Sequence, residues 1–577
     1  MNQKKFNSRA PRYALFSGFG GISTNASTDS KSATSIVNFR VRKDGALEKR
    51  CGACCLFDLE EKIRALWSGT IHSHYSAYFL AGTAVYRSDL SEESFTKIGT
   101  VASAEGDANF FCLQGQLYLT DGKNVYRIGE NSISPAVGYV PLLGKDWDND
   151  RMGEICEPLN LMNRHARITY IVSSTSSIFV RYPKPIASVE AFYRNGVLLS
   201  PDDYEINNGL CALEIFGLEK NDTLELFLTF EEDEESPLSI FCSTKDAVFF
   251  GAGAKSRTFF FGSEGSDMMF CTSYVTPDSL TESRRYYDAD PLYLPEGYEF
   301  QIGDGTSPIR GAIRHYDSLL IFTEKDTWSA NADSTGLSPL PALPVNAELG
   351  CVSSHGCVLS PNDPITLSRH GLYRWQSRDP ETSPRDAIRI PSPTDGDLNL
   401  DDLRQSALFY DALANELWWS IPSRGEVWIN SPENGEWFCF TGFSAERMFD
   451  ADGKVGFIHG SCVFKMDSTL TYDTDRNHLA KKISAHYESV PLTFESTKPK
   501  NLSGVHTICD LDGATLCVEL CEDNERSVKC ELSDPEHPKG SVLSYRLRSG
   551  RFRCATLRLS SEDSAHLVIH AMMLVAH

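Results

Sequence analysis

The stretch Leu319-Leu320-Ile321-Phe322-Thr323, followed after a short polar turn by Thr327-Trp328-Ser329, decides the fold. An apolar run bounded by turn signals reads as a strand with two apolar faces, and the second run, centred on an aromatic residue, reads as its hairpin partner. Seven copies of this two-strand unit stand in the chain. Tyr78-Phe79-Leu80-Ala81 leads to Val85-Tyr86-Arg87, and Leu117-Tyr118-Leu119-Thr120 leads to Val125-Tyr126-Arg127. Phe259-Phe260-Phe261 with Met269-Phe270 is a weaker copy. Ile365-Thr366-Leu367-Ser368 precedes Leu372-Tyr373-Arg374, Leu417-Trp418-Trp419-Ser420-Ile421 precedes Val427-Trp428-Ile429, and Val455-Gly456-Phe457-Ile458-His459 precedes Val463-Phe464-Lys465. The centres Leu320, Leu367, Trp418 and Phe457 lie 47, 51 and 39 residues apart, and Leu80 to Leu119 is again 39. Those steps match the roughly 40 to 50 residues of one four-stranded propeller blade. A sheet with two apolar faces buries both only when neighbours stack on it, as they do in radial repetition. The expectation is an all-β protein built on a β-propeller of about seven blades; unrelated hairpins in two sandwiches are the alternative.

One step breaks the period, since Leu119 to Phe260 is 141 residues. Within it, Arg167 to Phe230 reads as a compact series of strands, with Arg194-Asn195-Gly196 as a hairpin turn and Leu224-Glu225-Leu226-Phe227-Leu228-Thr229-Phe230 alternating as a half-buried strand. The acidic run Glu231-Glu232-Asp233-Glu234-Glu235 ends it. Beyond about Leu479 new strands follow, ending in the nearly continuous apolar His566 to Val575. The expected division is an N-terminal segment with the first blades over 1–150, an inserted β-sandwich over 151–240, the remaining blades over 241–475, and a C-terminal sandwich or jelly roll over 476–577.

The chain has 577 residues and a formal charge of -23, which argues against a basic nucleic-acid reader. Hydrophobic residues make up 41% and charged ones 23%, the balance of a globular protein rather than a disordered or fibrous one. No apolar stretch reaches the roughly 18 residues of a membrane span, and Met1-Asn2-Gln3-Lys4-Lys5 opens a polar start, so the expectation is a soluble protein made in the cytosol. The 17 cysteines are odd in number and read mostly as small buried apolar residues.

The search for chemistry yields no catalytic, cofactor-binding or metal residues to assign. No nucleophile elbow, no His-Glu-x-x-His and no phosphate-binding loop is present, and Gly18-Phe19-Gly20-Gly21 reads as a turn. Cys51 and Cys54, beside Cys55, have the gap of half a zinc site, but Cys351 with Cys357, and Cys517, Cys521 and Cys530, do not supply the other half. Asp146, Asp148, Asp150 and Glu157 imitate a calcium loop, yet Arg151 stands where that loop needs glycine, so a solvated acidic loop is expected. His72 and His74 would share one face of a strand without a third ligand. Trp375, Trp418, Trp419, Trp428 and Trp437 are read as inter-blade packing over a sugar-binding wall. Acidic pairs for glycoside hydrolysis would come from different blades, and sequence does not single them out.

Several blocks carry a likeness in order. Val37-Asn38-Phe39-Arg40-Val41-Arg42-Lys43-Asp44-Gly45-Ala46-Leu47-Glu48-Lys49-Arg50 resembles an opening strand-turn-strand, with Cys51 where a proline is usual. Glu157-Pro158-Leu159-Asn160-Leu161-Met162, then Tyr293-Leu294-Pro295 with Ile302-Gly303-Asp304, Pro308-Ile309-Arg310-Gly311, Tyr316 to Glu324, and Leu367-Ser368-Arg369-His370-Gly371-Leu372-Tyr373 follow. Together they resemble the packaged-DNA stabilisation proteins and the tail nozzle or head-to-tail connector propellers of tailed bacteriophages. The resemblance implies a non-enzymatic virion protein, synthesised in the host cytoplasm. It implies a sixfold ring of copies docked on a portal or adaptor ring and on other tail proteins, without membrane insertion. DNA would pass the ring's channel without sequence-specific binding and be retained until ejection. An acidic strip facing that channel would repel phosphates, the mechanism that the net charge suggests. The rival is a receptor-binding or glycan-degrading propeller at the tail tip. Cellular scaffold propellers fit less well, because the unit lacks Trp-Asp and kelch signatures.

Overall fold

A computed structural model describes residues 11–22, 32–71, 73–91, 94–147, 157–173, 178–182, 184–231, 236–273, 290–335, 340–361, 363–376, 386–432, 435–523, 526–534 and 539–577. Seven four-stranded antiparallel blades succeed one another: I over 63–100, II over 109–135, III over 246–301, IV over 309–346, V over 357–390, VI over 407–441 and VII over 447–467. Their innermost strands touch in a closed cycle, I with II and onward until VII meets I again. The fold is therefore a seven-bladed propeller, as the spacing predicts. Each two-strand unit read from the sequence is the second and third strand of one blade, for example Ser318–Thr323 with Thr327–Asn331 in blade IV.

The reason is visible in the alternation of side chains. Successive residues of a strand point to opposite faces. In blade IV, Leu319 and Ile321 enter the core shared with blade III, while Leu320 and Phe322 enter the core shared with blade V. Phe259 and Phe261 face blade IV and Phe260 faces blade II, and Leu417 and Trp419 face blade V while Trp418 faces the other side. An inner strand thus needs apolar residues at every position, each buried side chain contributing about 1.5–3 kcal/mol.

Blade VII gains its outer strand from the other end of the chain: Gly52–Asp58 pairs with Cys462–Asp467, with Cys54 opposite Lys465 and Ala53 opposite Met466. This closes the ring with a segment that precedes blade I.

Between blades II and III lies a two-sheet sandwich. Leu142–Trp147, His165–Ile171, Thr223–Phe230, Ile186–Arg194 and Val197–Leu198 form one sheet, and Ile178–Arg181, Ala212–Ile215 and Tyr204–Asn207 form the other. Its core holds Ile168, Phe192, Leu213, Leu226 and Phe230. The boundary at 151 needs correction, because Leu142–Trp147 already pairs in parallel with His165–Ile171. Of the acidic run after it, Glu232 to Glu235 lie outside the described residues.

The C-terminal module is also a sandwich, but it does not start at 476. Its outer sheet joins Arg12–Phe16 and Leu47–Lys49 to Val568–Ala576, followed by Leu502–Asp510 and Ser541–Tyr545. Its second sheet runs Ala33–Val37, Ala485–Ser489, Ala555–Ser561, Leu516–Glu522 and Ser527–Leu532, and Val37 pairs with Cys439 so that this sheet continues blade VI. Of the N-terminal segment grouped with the first blades over 1–150, Arg12–Phe16, Ala33–Val37 and Leu47–Lys49 belong here instead, and Gly52–Asp58 belongs to blade VII. Strand pairing across more than 450 positions, as between Ser35 and Glu488, leaves no local signal in the sequence. One core embeds Phe16, Ile36, Leu559 and Leu574 together with Trp418 and Phe440 of blade VI and Phe457 of blade VII. Among the described residues, no helix is long and apolar enough to cross a membrane.

Candidate functional site at the propeller axis

The turns that precede or open the innermost strands of blades I, II, III, V, VI and VII converge round a cavity of about 1070 Å³. Glu61 and Arg64 come from blade I, Asp107 from blade II, Lys245 from blade III, His355 from blade V, Arg404 from the approach to blade VI, and Glu446, Arg447 and His459 from blade VII. A second, smaller space of about 360 Å³ lies against the same strands, lined by Asp246, Phe249, Trp67, Cys112 and again Arg447.

Arg64 is committed to structure. Its guanidinium donates to the carbonyls of Gly82 at 2.9 Å, Ser103 at 2.8 Å, Glu105 at 2.8 Å and Asp121 at 2.8 Å, which clamps blade I to the turn leading into blade II. Gly82, at φ +52, leaves room for Glu61: a Cβ there would sit 1.4 Å from Glu61 Oε2. Lys245 Nζ lies 3.3 Å from Asp107 Oδ2, and Arg404 Nη2 lies 2.6 Å from Glu324 Oε1. Glu446 Oε1 accepts the backbone N–H of Gly460 at 3.2 Å and stands 3.4 Å from His459 Nδ1.

Asp246, His355 and Arg447 form an electrostatic group. Solvent reaches Asp246, yet protein surrounds it, and this burial raises its pKa while Arg447 opposes the shift. Burial lowers the pKa of Arg447, with Asp246 acting the other way. His355 is pushed down to about 3 by burial, then by the nearby cations Arg447 and Lys245, so its imidazole is neutral at pH 7.

The wall is otherwise balanced. Glu61, Glu105, Asp107 and Glu446 face Lys62, Arg64, Lys245, Arg404 and Arg447, so the acidic surplus of the chain is carried elsewhere. Among the described residues, no aromatic ring lines the larger cavity, which leaves no stacking platform for a sugar.

None of these residues was singled out by sequence. The signal that marks all of them but His459, which ends the second strand of blade VII, is position just before or at the start of a blade's first strand, and it is readable only once the blades are known. The residues weighed from sequence lie elsewhere. Trp375, Trp418, Trp419 and Trp437 are buried in inter-blade cores, and Trp428 packs against one. Cys54 and Cys55 are buried on the closing strand, the thiol of Cys55 pushed up to about 12 by burial, and burial also raises Cys51. Cys517, Cys521 and Cys530 sit on two neighbouring strands of the C-terminal sandwich. His74 opens an exposed strand end, whereas His72 lies outside the described residues. Asp148 and Asp150 also lie outside them, and Asp146 is on the first sandwich strand. Glu157 accepts from Tyr139 Oη at 3.0 Å and from the backbone of Leu142 at 2.6 Å, a structural role. Among the described residues, no three His, Cys, Asp or Glu side chains gather as a metal cage.

No family model matches the chain, and no curated protein matches it. Solved structures that are similar include a chain described as a glycoside hydrolase, at 11% identity and TM-score 0.23, covering 90% of this chain and 98% of that one. An exo-beta-1,3-galactanase from Phanerochaete chrysosporium with galactose is 9% identical, with TM-score 0.18 and coverage of 82% and 96%. BBS1N in complex with ARL6DN is 8% identical, with TM-score 0.25 and coverage of 73% and 96%. Scores this low carry no functional weight, and the propeller rests on the chain's own sheets.

Proposed function

We propose that this chain is a structural component of a bacteriophage tail, of the nozzle or head-to-tail connector type, that assembles as a ring round the DNA channel and helps retain packaged DNA. The observation that supports this most is the meeting of two blocks of the resemblance. Asn160, buried, donates from its amide to the carbonyls of Tyr139 at 2.8 Å and Leu292 at 3.1 Å, and its Oδ1 accepts from Leu294 at 3.0 Å. Tyr293 Oη donates to the Pro158 carbonyl at 2.7 Å. The likeness at 157–162 and at 293–295 thus belongs to one joint, where the segment between the first two strands of the sandwich packs on the approach to the outer strand of blade III. Extended sheet surfaces would join this subunit to its neighbours in the ring, and in this reading the chain does no catalysis. The test is mass photometry and electron microscopy of the full chain, alone and with the portal or adaptor proteins of the same genome. Closed rings, sixfold, are expected; a chain that stays monomeric in every mixture would overturn the reading.

A second reading, a glycan-degrading propeller, is favoured by the axial carboxylates Glu61, Asp107 and Glu446 of the larger cavity and by the raised Asp246 of the smaller space. The larger cavity, which holds those three carboxylates, has no Phe, Tyr or Trp among its described lining residues, and this weighs against it. Polysaccharide hydrolysis by the purified chain, abolished in Asp246→Asn, would establish it and displace the structural role.

A further inference from the structure

Among the described residues, the outer sheet of the C-terminal sandwich has three edge strands, Phe39–Val41, Arg12–Phe16 and Ser541–Tyr545, the first of them carrying Arg40. Edge strands invite pairing with another chain, and proteins blunt them with charges or proline. Away from the propeller axis, the described edge strands longer than two residues follow that practice, as Lys97, Pro135, Pro344 and Lys529 show. The exception is Ser541-Val542-Leu543-Ser544-Tyr545, which carries neither a charge nor a proline. Its one partner strand in the sheet is Leu502–Asp510. At the opposite end, Arg12–Phe16 pairs on one side with Val568–Ala576.

Both ends expose apolar side chains on the same face. Val542 is opposite Ile508, and Leu15 is opposite Met573, which is opposite His506 on the next strand. Val542 is 72% exposed, Leu15 59%, Tyr13 51% and Ile508 44%, so apolar side chains face solvent at both edges, with the hydrogen-bonded pair His506 and Ser544 between them. The sheet's direction adds a constraint. Arg12–Phe16, Val568–Ala576, Leu502–Asp510 and Ser541–Tyr545 alternate in direction at each step. A second copy placed alongside in the same orientation therefore brings its Arg12–Phe16 antiparallel to Ser541–Tyr545 and its exposed Tyr13 and Leu15 to the side of Val542.

We infer that Ser541–Tyr545 of one copy receives Arg12–Phe16 of the next by β-strand addition, and that this heterologous contact is the one that propagates the ring. The inference rests on the ring reading above and names its interface. The pairing would leave one Arg12–Phe16 edge and one Ser541–Tyr545 edge open at the ends of any unclosed row, so closure into a ring satisfies both.

The experiment uses the full chain and two variants at exposed positions, Val542→Lys and Leu15→Lys, with mass photometry as the readout and thermal melting as the check on folding. Wild type is expected as rings and each variant as single chains. An equimolar mixture of the two variants is expected to give dimers and nothing larger, because one intact edge of each kind remains. If Leu15→Lys melts early, Tyr13→Lys on the same face replaces it. Dimers from Leu15→Lys but not from Val542→Lys would mean that like edges pair, and rings from Leu15→Lys would mean that Arg12–Phe16 is not the strand received; either overturns the inference. Rings from both variants, or a mixture that stays monomeric, overturn it while leaving the ring reading in place. A wild type that never assembles removes both.

Discussion

Arg50 and Asp473 form a bidentate ion pair inside the molecule, with Nη1 to Oδ1 at 2.7 Å and Nη2 to Oδ2 at 2.6 Å and side chains only 1% and 6% exposed. Arg50 stands where the chain leaves the C-terminal sandwich for the closing strand of blade VII, and Asp473 follows the last strand of that blade. The remaining donors of Arg50 reach Asn38 Oδ1 at 2.8 Å and the Thr441 carbonyl at 2.8 Å, its guanidinium lies 5.0 Å from the Phe443 ring, and Asp473 accepts the Ala53 N–H at 2.9 Å. One pair of residues therefore ties the sandwich, blade VI and the ring closure together.

Replacing one partner leaves the other charge buried and unpaired. Arg50→Met is expected to lower stability by about 3–5 kcal/mol, and the double replacement Arg50→Met with Asp473→Leu to recover much of that loss. Urea denaturation of the two variants checks this; a single variant within about 1 kcal/mol of wild type would show that the pair does not hold the closure.

Asn160 satisfies backbone groups on both sides of the insertion joint. Asn160→Ala strands the Leu294 N–H and leaves the Tyr139 carbonyl with Asn163 and the Leu292 carbonyl with the Tyr139 N–H as donors, with an expected loss of about 1–3 kcal/mol. Limited proteolysis should then cut near 137–163 sooner than in wild type. An unchanged digestion pattern would mean that the joint is held by other contacts.

Alternating burial predicts a contrast between two leucines of one blade. Leu320 is fully buried between blades IV and V, and Leu320→Ala should cost about 2–5 kcal/mol. Leu343, 69% exposed on the outer strand of blade IV, should tolerate alanine within about 0.5 kcal/mol. Equal midpoints in denaturant for both variants would contradict the stacking of blades.

Glu48 and His566 join the N-terminal hairpin to the approach of the last strand, with His566 Nε2 3.3 Å from Glu48 Oε1. The hydrogen bond to His566 is the largest influence lowering Glu48, and the bond to Glu48 is the largest influence raising His566. Arg40 and Arg42 also act on Glu48, and Asp510 and Asp512 on His566. A raised histidine adds stability that is full below its unfolded value near 6.5 and fades as pH rises through the folded value. A lowered glutamate adds stability that is full above its unfolded value near 4.5 and fades as pH falls through the folded one. The pair therefore contributes most between about pH 4.5 and 6.5, by roughly 0.5 kcal/mol given its exposure. Melting curves from pH 5 to 8 should slope less in His566→Gln; parallel slopes would exclude the linkage.

The blades were legible because a doubly covered strand must be apolar at consecutive positions. Leu319 to Phe322, Phe259 to Phe261 and Leu417 to Trp419 announce that requirement without reference to any partner. The axial site was not legible: Glu61, Asp107, Lys245 and Arg447 are ordinary turn or strand-end residues until closure of the ring brings turns from distant blades together.

The sequence by itself determined that hydrophobic strand pairs recur at blade intervals and that a separate β unit interrupts them. Only the tertiary structure decided which module owns the first fifty residues, where the ring closes, and which charges meet at the axis. Side-chain periodicity is a local property fixed by the two faces of a strand, whereas register between strands hundreds of positions apart is chosen by the packing of the assembled sheets.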